Sequence, residues 1–205
     1  FGISSNCLSS LHQAANNASS DAVMAIRLGR YVAGKDLELE KIITYSENLY
    51  RGLNVMVEYS QVVSESGYFT LLAQDNGCYA LKFTAHDNIY VSSQQQDMVF
   101  SAILAAIGKV YYGCSDYIRY HYDQDIARAE DYQALMSCSL VAGHHAYLEI
   151  DPALLTFDNP QKNSKLFDKS IQKIEKIIFK RKQRLELYVK VSECIEQSLL
   201  AGNAQ

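Results

Sequence analysis

The sequence has no tryptophan, two prolines and five cysteines in 205 residues. With so little proline, a polyproline linker is excluded and long helices meet few breakers. Cys7, Cys78, Cys114, Cys138 and Cys194 are odd in number, widely spaced and free of any C-x-x-C pair. That excludes a disulfide-built scaffold and a two-pair zinc site, and fits reduced thiols. No run of about eighteen apolar residues occurs, since the most apolar stretch, MVFSAILAAIGKVYYG, is broken by Ser101, Gly108 and Lys109, so no membrane span is expected. The first residues lack the basic start and sustained apolar centre of a secretory signal. Together with Phe1 in place of an initiator methionine, this fits a cytoplasmic piece of a longer polypeptide.

Enzyme signatures are absent too: there is no G-x-S-x-G, no G-x-x-x-x-G-K-[ST], no G-x-G-x-x-G and no H-E-x-x-H. The stretch MSCSLVAGHHAYLEID, 136–151, does gather Cys138, His144, His145, Glu149 and Asp151. If strands at 140–142 and 147–150 pair across AGHHA, the neighbouring histidines point to opposite sides and Cys138 lies at the far end of its strand. Three ligands do not converge, so the stretch reads as scaffold, with no metal and no cofactor expected. His86 and His121 read as hydrogen-bonded structural groups, and no catalytic residue is assigned.

Net charge is −4 and unevenly spread. After residue 160, ten Lys/Arg oppose five acids, and before it nine oppose eighteen, giving +5 and −9. A body at −9 does not hold DNA by itself. The basic run FKRKQR, 179–184, is interleaved with an apolar seam and reads as solvated flank.

Hydrophobic periodicity predicts an α+β fold with N-terminal helices, a mixed, mostly antiparallel sheet with hairpins, and a long C-terminal helix. SSDAVMAIRLGRYV places Val23, Ile26 and Tyr31 on one stripe, and the segment 36–66 reads as two helices separated near Asn48. At Tyr68 the period changes from helical to alternating, and YFTLLAQDNGCYALKFTA forms a hairpin around Asn76-Gly77. An apolar helix, the strand DYIRYHY, the helix DIARAEDYQALMS and a β pair flanking AGHHA follow. The expected division is an α+β domain over 1–162, helical to about 66 and sheet-containing from about 67, followed by a helix over 163–205.

What the chain has in abundance is tyrosine, fifteen copies. A ring with a polar tip suits either an aromatic core or a pocket for a small amphipathic molecule. Strand alternation puts Tyr79 and Phe83 on one inward face, with Tyr120 and Tyr122 on another. Arg119 and His121 fall on the opposite face, at a polar rim. These six are the candidate ligand-binding residues.

In the C-terminal helix Phe167, Ile171, Ile174, Ile178, Leu185, Tyr188, Ile195 and Leu199 recur at heptad-like steps, with Arg181 and Ser192 in the polar places. Such a seam packs on its own domain or on a second copy. For the second, Ile171, Ile174, Ile178, Leu185 and Tyr188 are the candidate dimerisation residues.

The run 132–163 resembles the end of the arabinose-binding-like effector domain of AraC/XylS-type transcriptional regulators. Tyr132, Ser137-Cys138, Leu140, Gly143, Leu148, Asp151, Leu154-Leu155, Pro160 and Asn163 match in order, and 25–32 and 43–64 are similar to that domain's helical first part. Ser139 stands where the family has proline, and the turn through His144-His145 is one residue short. The resemblance implies a homodimeric sensor of a small organic effector. It implies DNA contact only through helix-turn-helix units beyond residue 205, with residues 193–205 as the linker. A protein-interaction module with no small-molecule ligand is the alternative.

Overall fold

The computed structural model describes residues 14, 21, 23–35, 38–64, 66–122 and 129–202. Three helices come first: α1 (Met24–Ala33), α2 (Glu38–Tyr45) and α3 (Leu49–Val63). The break between the last two is set by Asn48, whose side chain accepts from the Arg51 backbone N–H at 2.9 Å. In α1 the inward stripe is Ile26, Gly29 and Ala33, while Tyr31, expected there, is 62% exposed. Close helix packing at this stripe selects the small residues.

Strands β1 (Gly67–Ala73) and β2 (Tyr79–Ala85) form the expected hairpin, in register from Gly67↔Ala85 to Ala73↔Tyr79. Its loop is one residue longer than a two-residue Asn-Gly turn. Gly77 N–H donates to Gln74 O at 3.0 Å, the Gln74 N–H donates to Cys78 O at 2.8 Å, and Gly77 sits at φ +83. A Cβ at Gly77 would meet nothing within 4 Å, so only backbone conformation resists substitution. Gly77→Val is expected to lower stability by about 1–2 kcal/mol. An unchanged urea midpoint would show that the turn does not need the left-handed residue.

Helix α4 (Ser93–Val110) opens with a Ser92/Gln95 capping box. Then come β3 (Ile118–Tyr122), α5 (Ala129–Met136), β4 (Ser139–Ala142), β5 (Tyr147–Ile150), a short α6 (Pro152–Thr156) capped by Asp151, and α7 (Ser164–Gly202). The sheet order is β1-β2-β5-β3-β4. Contrary to the sequence expectation, the strands flanking AGHHA therefore do not pair with each other. β3 lies between them, antiparallel to β5 and parallel to β4. Two four-residue strands carry too little register information to select each other, and β3–α5–β4 supplies the crossover that parallel pairing needs.

One sheet face packs on α4, where the Phe100 ring stands 6.3 Å from Phe69 and 5.5 Å from Tyr120. At its centre lies buried Asp97. The Tyr120 hydroxyl donates to its Oδ1 at 2.6 Å and the Tyr132 hydroxyl to its Oδ2 at 2.8 Å, tying α4, β3 and α5 together. Burial, followed by the Asp97 charge, raises Tyr132 far above the usual phenol range, so it remains a donor.

The long helix is two things in sequence. Phe167 and Ile174 are buried against Ile42 of α2, with Ile171 and Ile178 half-buried beside them. Lys173 meets Glu38 at 3.0 Å, and Arg181 donates to Val62 O at 3.2 Å. Beyond Arg181 the described side chains are all exposed up to residue 197.

Candidate effector cavity

Where α1 crosses α4, small residues line both helices at four-residue steps: Gly29 and Ala33 on one, Ala102 and Ala106 on the other. The approach is close enough that a Cβ on Gly29 would fall 2.0 Å from Met98 O. Beside this crossing the small side chains leave room. A cavity of about 290 Å³ opens there, walled by Ile43 of α2, Met56 of α3, Phe69 and Phe83 of the hairpin, and Met98 and Ile103 of α4. Its size is near the lower end for small-molecule pockets, and its wall is mostly hydrocarbon, the usual make-up of such sites.

The polar groups in the wall have defined work. Ser60 Oγ donates to Val57 O at 2.8 Å and accepts from the Phe69 N–H at 3.0 Å. Ser64 Oγ accepts from the Gly67 N–H at 3.3 Å. Glu40 pairs with Lys109, which also donates to Ala33 O at 2.6 Å. A second concavity, about 680 Å³, borders the start of α7, but it is lined by Glu47, Arg51, Lys162, Lys165 and Asp168 beside two aromatics. That surface offers charge without an apolar enclosure.

Of the six ligand residues expected from the sequence, Phe83 lines the cavity. Tyr79 lies edge-on to Tyr50 at 5.8 Å, and Tyr120 is buried with its hydroxyl on Asp97. Tyr122 is half-buried against the core. Arg119 and His121 do share the other sheet face, where both meet buried Glu149, at 2.7 and 3.2 Å. His121 also stacks on Tyr147 with ring centroids 4.1 Å apart. Burial lowers its pKa and outweighs the opposing pull of Glu149. The five dimerisation candidates are likewise divided. Ile171, Ile174 and Ile178 contact the chain's own α2 and α3 region, Tyr188 is 70% exposed, and the Leu185 side chain lies outside the described residues.

Cys138 is buried, and burial pushes its thiol up to about 12, while His144 and His145 are exposed in the turn. Among the described residues no group of three or more His, Cys, Asp or Glu is arranged to hold a metal ion. No helix among them is long and apolar enough to cross a membrane.

Sequence reasoning missed α1, α2 and α4 as walls. The available signal was the pair of small-residue steps, Gly29/Ala33 and Ala102/Ala106, which mark faces where helices approach closely.

No family model matches this sequence, and no curated protein matches it. Among solved structures, the chain is similar to the transcriptional regulator CdpR from Pseudomonas aeruginosa, with a TM-score of 0.58 at 12% identity. The match covers 74% of this chain and 50% of that one, so the chain spans half the length of the regulator it resembles. At that identity the likeness is one of fold.

Proposed function

We propose that this chain is the effector-sensing and self-associating part of an AraC-type transcriptional regulator, cytoplasmic and without catalysis of its own. It would hold a small organic molecule in the α1–α4 cavity and reach DNA through helix-turn-helix units outside this sequence. The observation that carries the reading is the double duty of α2. Ile43 faces the cavity while its neighbour Ile42 packs against Phe167 and Ile174 of the long helix. An occupant of the cavity therefore presses on the element that seats α7. Similarity to part of a transcriptional regulator supports the same reading.

Self-association falls to the outer half of α7, where Leu187, Tyr188, Val191 and Ile195 are 62, 70, 47 and 55% exposed. The apolar seam continues through Tyr188 and Ile195 after leaving its own domain, and a second copy of the same stripe is the partner with matching spacing. Tyr188→Glu with Ile195→Glu is expected to turn a dimer into a monomer in sedimentation equilibrium while leaving the melting temperature of the domain unchanged. A wild-type monomer at micromolar concentration, or a dimer indifferent to both changes, would refute this assignment. The sensing half is tested by mass spectrometry of small molecules released from the purified protein, together with thermal shift against a broad metabolite panel. No released molecule and no stabilising ligand would leave the interaction module as the surviving reading.

A further inference from the structure

Among the described residues, the polar side chains in the wall of the α1–α4 cavity are already engaged or closed off. Glu40 Oε1 is taken by Lys109 Nζ, and Oε2 is buried beyond the reach of anything in the cavity. Ser60 Oγ is held between Val57 O and the Phe69 N–H. Ser64 Oγ accepts from the backbone N–H groups of Ser66 and Gly67, both at 3.3 Å, and Ser66 is engaged as well. What faces the space is hydrocarbon and thioether, from Ile43, Met56, Phe69, Phe83, Met98 and Ile103. A polar atom carried into such a space gives up its bonds to water and gains none in return, which weakens binding roughly tenfold or more.

We propose that the cavity takes an uncharged hydrocarbon of about ten carbon atoms, held by apolar contact area and by no hydrogen bond to the protein. The inference deepens the effector-sensing reading and rests on it. Size follows from volume: a dry apolar cavity of roughly 150 Å³ holds benzene, so one of about 290 Å³ has room for roughly ten carbons at similar filling. Charge is excluded from the occupant because Glu40 and Lys109 already balance each other. An ammonium or a carboxylate in the cavity would be desolvated with no counter-charge left to meet it. The unbranched, polarisable side chains of Met56 and Met98 let the wall follow the contour of an apolar guest.

Methionine methyl groups make the test direct, because Met56 and Met98 line the cavity whereas buried Met136 does not. The full chain, labelled at methionine methyls, is titrated by NMR with two sets of probes. Toluene, ethylbenzene, propylbenzene and butylbenzene are expected to shift Met56 and Met98 and leave Met136 in place, with affinity rising roughly fourfold per added methylene. The second set pairs molecules of one shape: indole against indene for a donor, and acetophenone against cumene for an acceptor. Each polar member is expected to bind roughly tenfold or more weakly than its hydrocarbon partner. Benzoate and benzylamine are expected to leave Met56 and Met98 unmoved. Ala102→Leu fills part of the space and should weaken butylbenzene more than toluene, with the Met136 signal reporting an intact fold. If that variant does not fold, the wild-type series decides without it. Indole or acetophenone binding as tightly as its hydrocarbon partner, tighter binding of either ion, or a flat response across the alkylbenzenes would overturn the proposal while the effector cavity stands. No probe moving Met56 or Met98 would remove the effector-cavity reading, and this proposal with it.

Discussion

Replacement of Asp97 by alanine is expected to lower unfolding stability by roughly 3–5 kcal/mol. Asp97 is 1% exposed and accepts from two tyrosines on two other elements. Its loss removes both charge-assisted bonds and leaves the hydroxyls of Tyr120 and Tyr132, themselves 1% and 6% exposed, without that acceptor. Each buried hydroxyl that loses this acceptor costs about 1–3 kcal/mol, and the deleted carboxylate leaves a small void besides. Tyr132→Phe removes one bond and strands no hydroxyl, so its effect should be about 1–2 kcal/mol. Urea denaturation of the single and double variants separates the contributions. An Asp97→Ala protein within about 1 kcal/mol of the parent would mean that water or a shifted side chain takes over the role of the carboxylate.

Gly29→Ala should be almost as damaging, and with the opposite sign to the usual helix rule. In an open helix, glycine to alanine stabilises by roughly 0.5–1 kcal/mol through propensity alone. At Gly29 the added methyl would sit 2.0 Å from Met98 O and 2.1 Å from Ser101 Oγ. A backbone carbonyl cannot swing aside, so α1 must lift from α4, at a cost of about 3 kcal/mol. Gly108 on α4 supplies the contrast, because a Cβ there meets nothing within 4 Å, and Gly108→Ala should stabilise slightly. Thermal melts of the two variants should move in opposite directions. Parallel shifts would show that the α1–α4 crossing tolerates separation.

Elements whose character is set by their own residues were legible in the sequence. The Asn48 break, the hairpin at Asn76-Gly77 and the long helix all announce themselves through a cap, a turn pair or a stripe. What failed was pairing at a distance. Insertion of β3 between β4 and β5 depends on three short strands competing for edges, and no residue of AGHHA encodes the outcome. The cavity was hidden for a related reason: its walls come from α1 to α4 and the hairpin, and its identity lies in what the small side chains leave unfilled. Strand alternation correctly separated Arg119 and His121 from Tyr120, and both do meet Glu149. It could not reveal that the hydroxyl of Tyr120 belongs to an aspartate 23 residues earlier.

The departure of α7 from its domain at Arg181 has a mechanical meaning. Residues 182–202 continue the same helix past Arg181, whose guanidinium donates to Val62 O. At 1.5 Å per residue that arm is roughly 30 Å long. A tilt of about 5° at the fulcrum would carry its tip through roughly 3 Å on a helix of that rise. The fulcrum rests on Ile42, one residue from the cavity wall at Ile43. Sub-ångström repacking at the cavity wall would thereby be geared up, by leverage alone, to a displacement the size of a hydrogen bond at the far end of the arm.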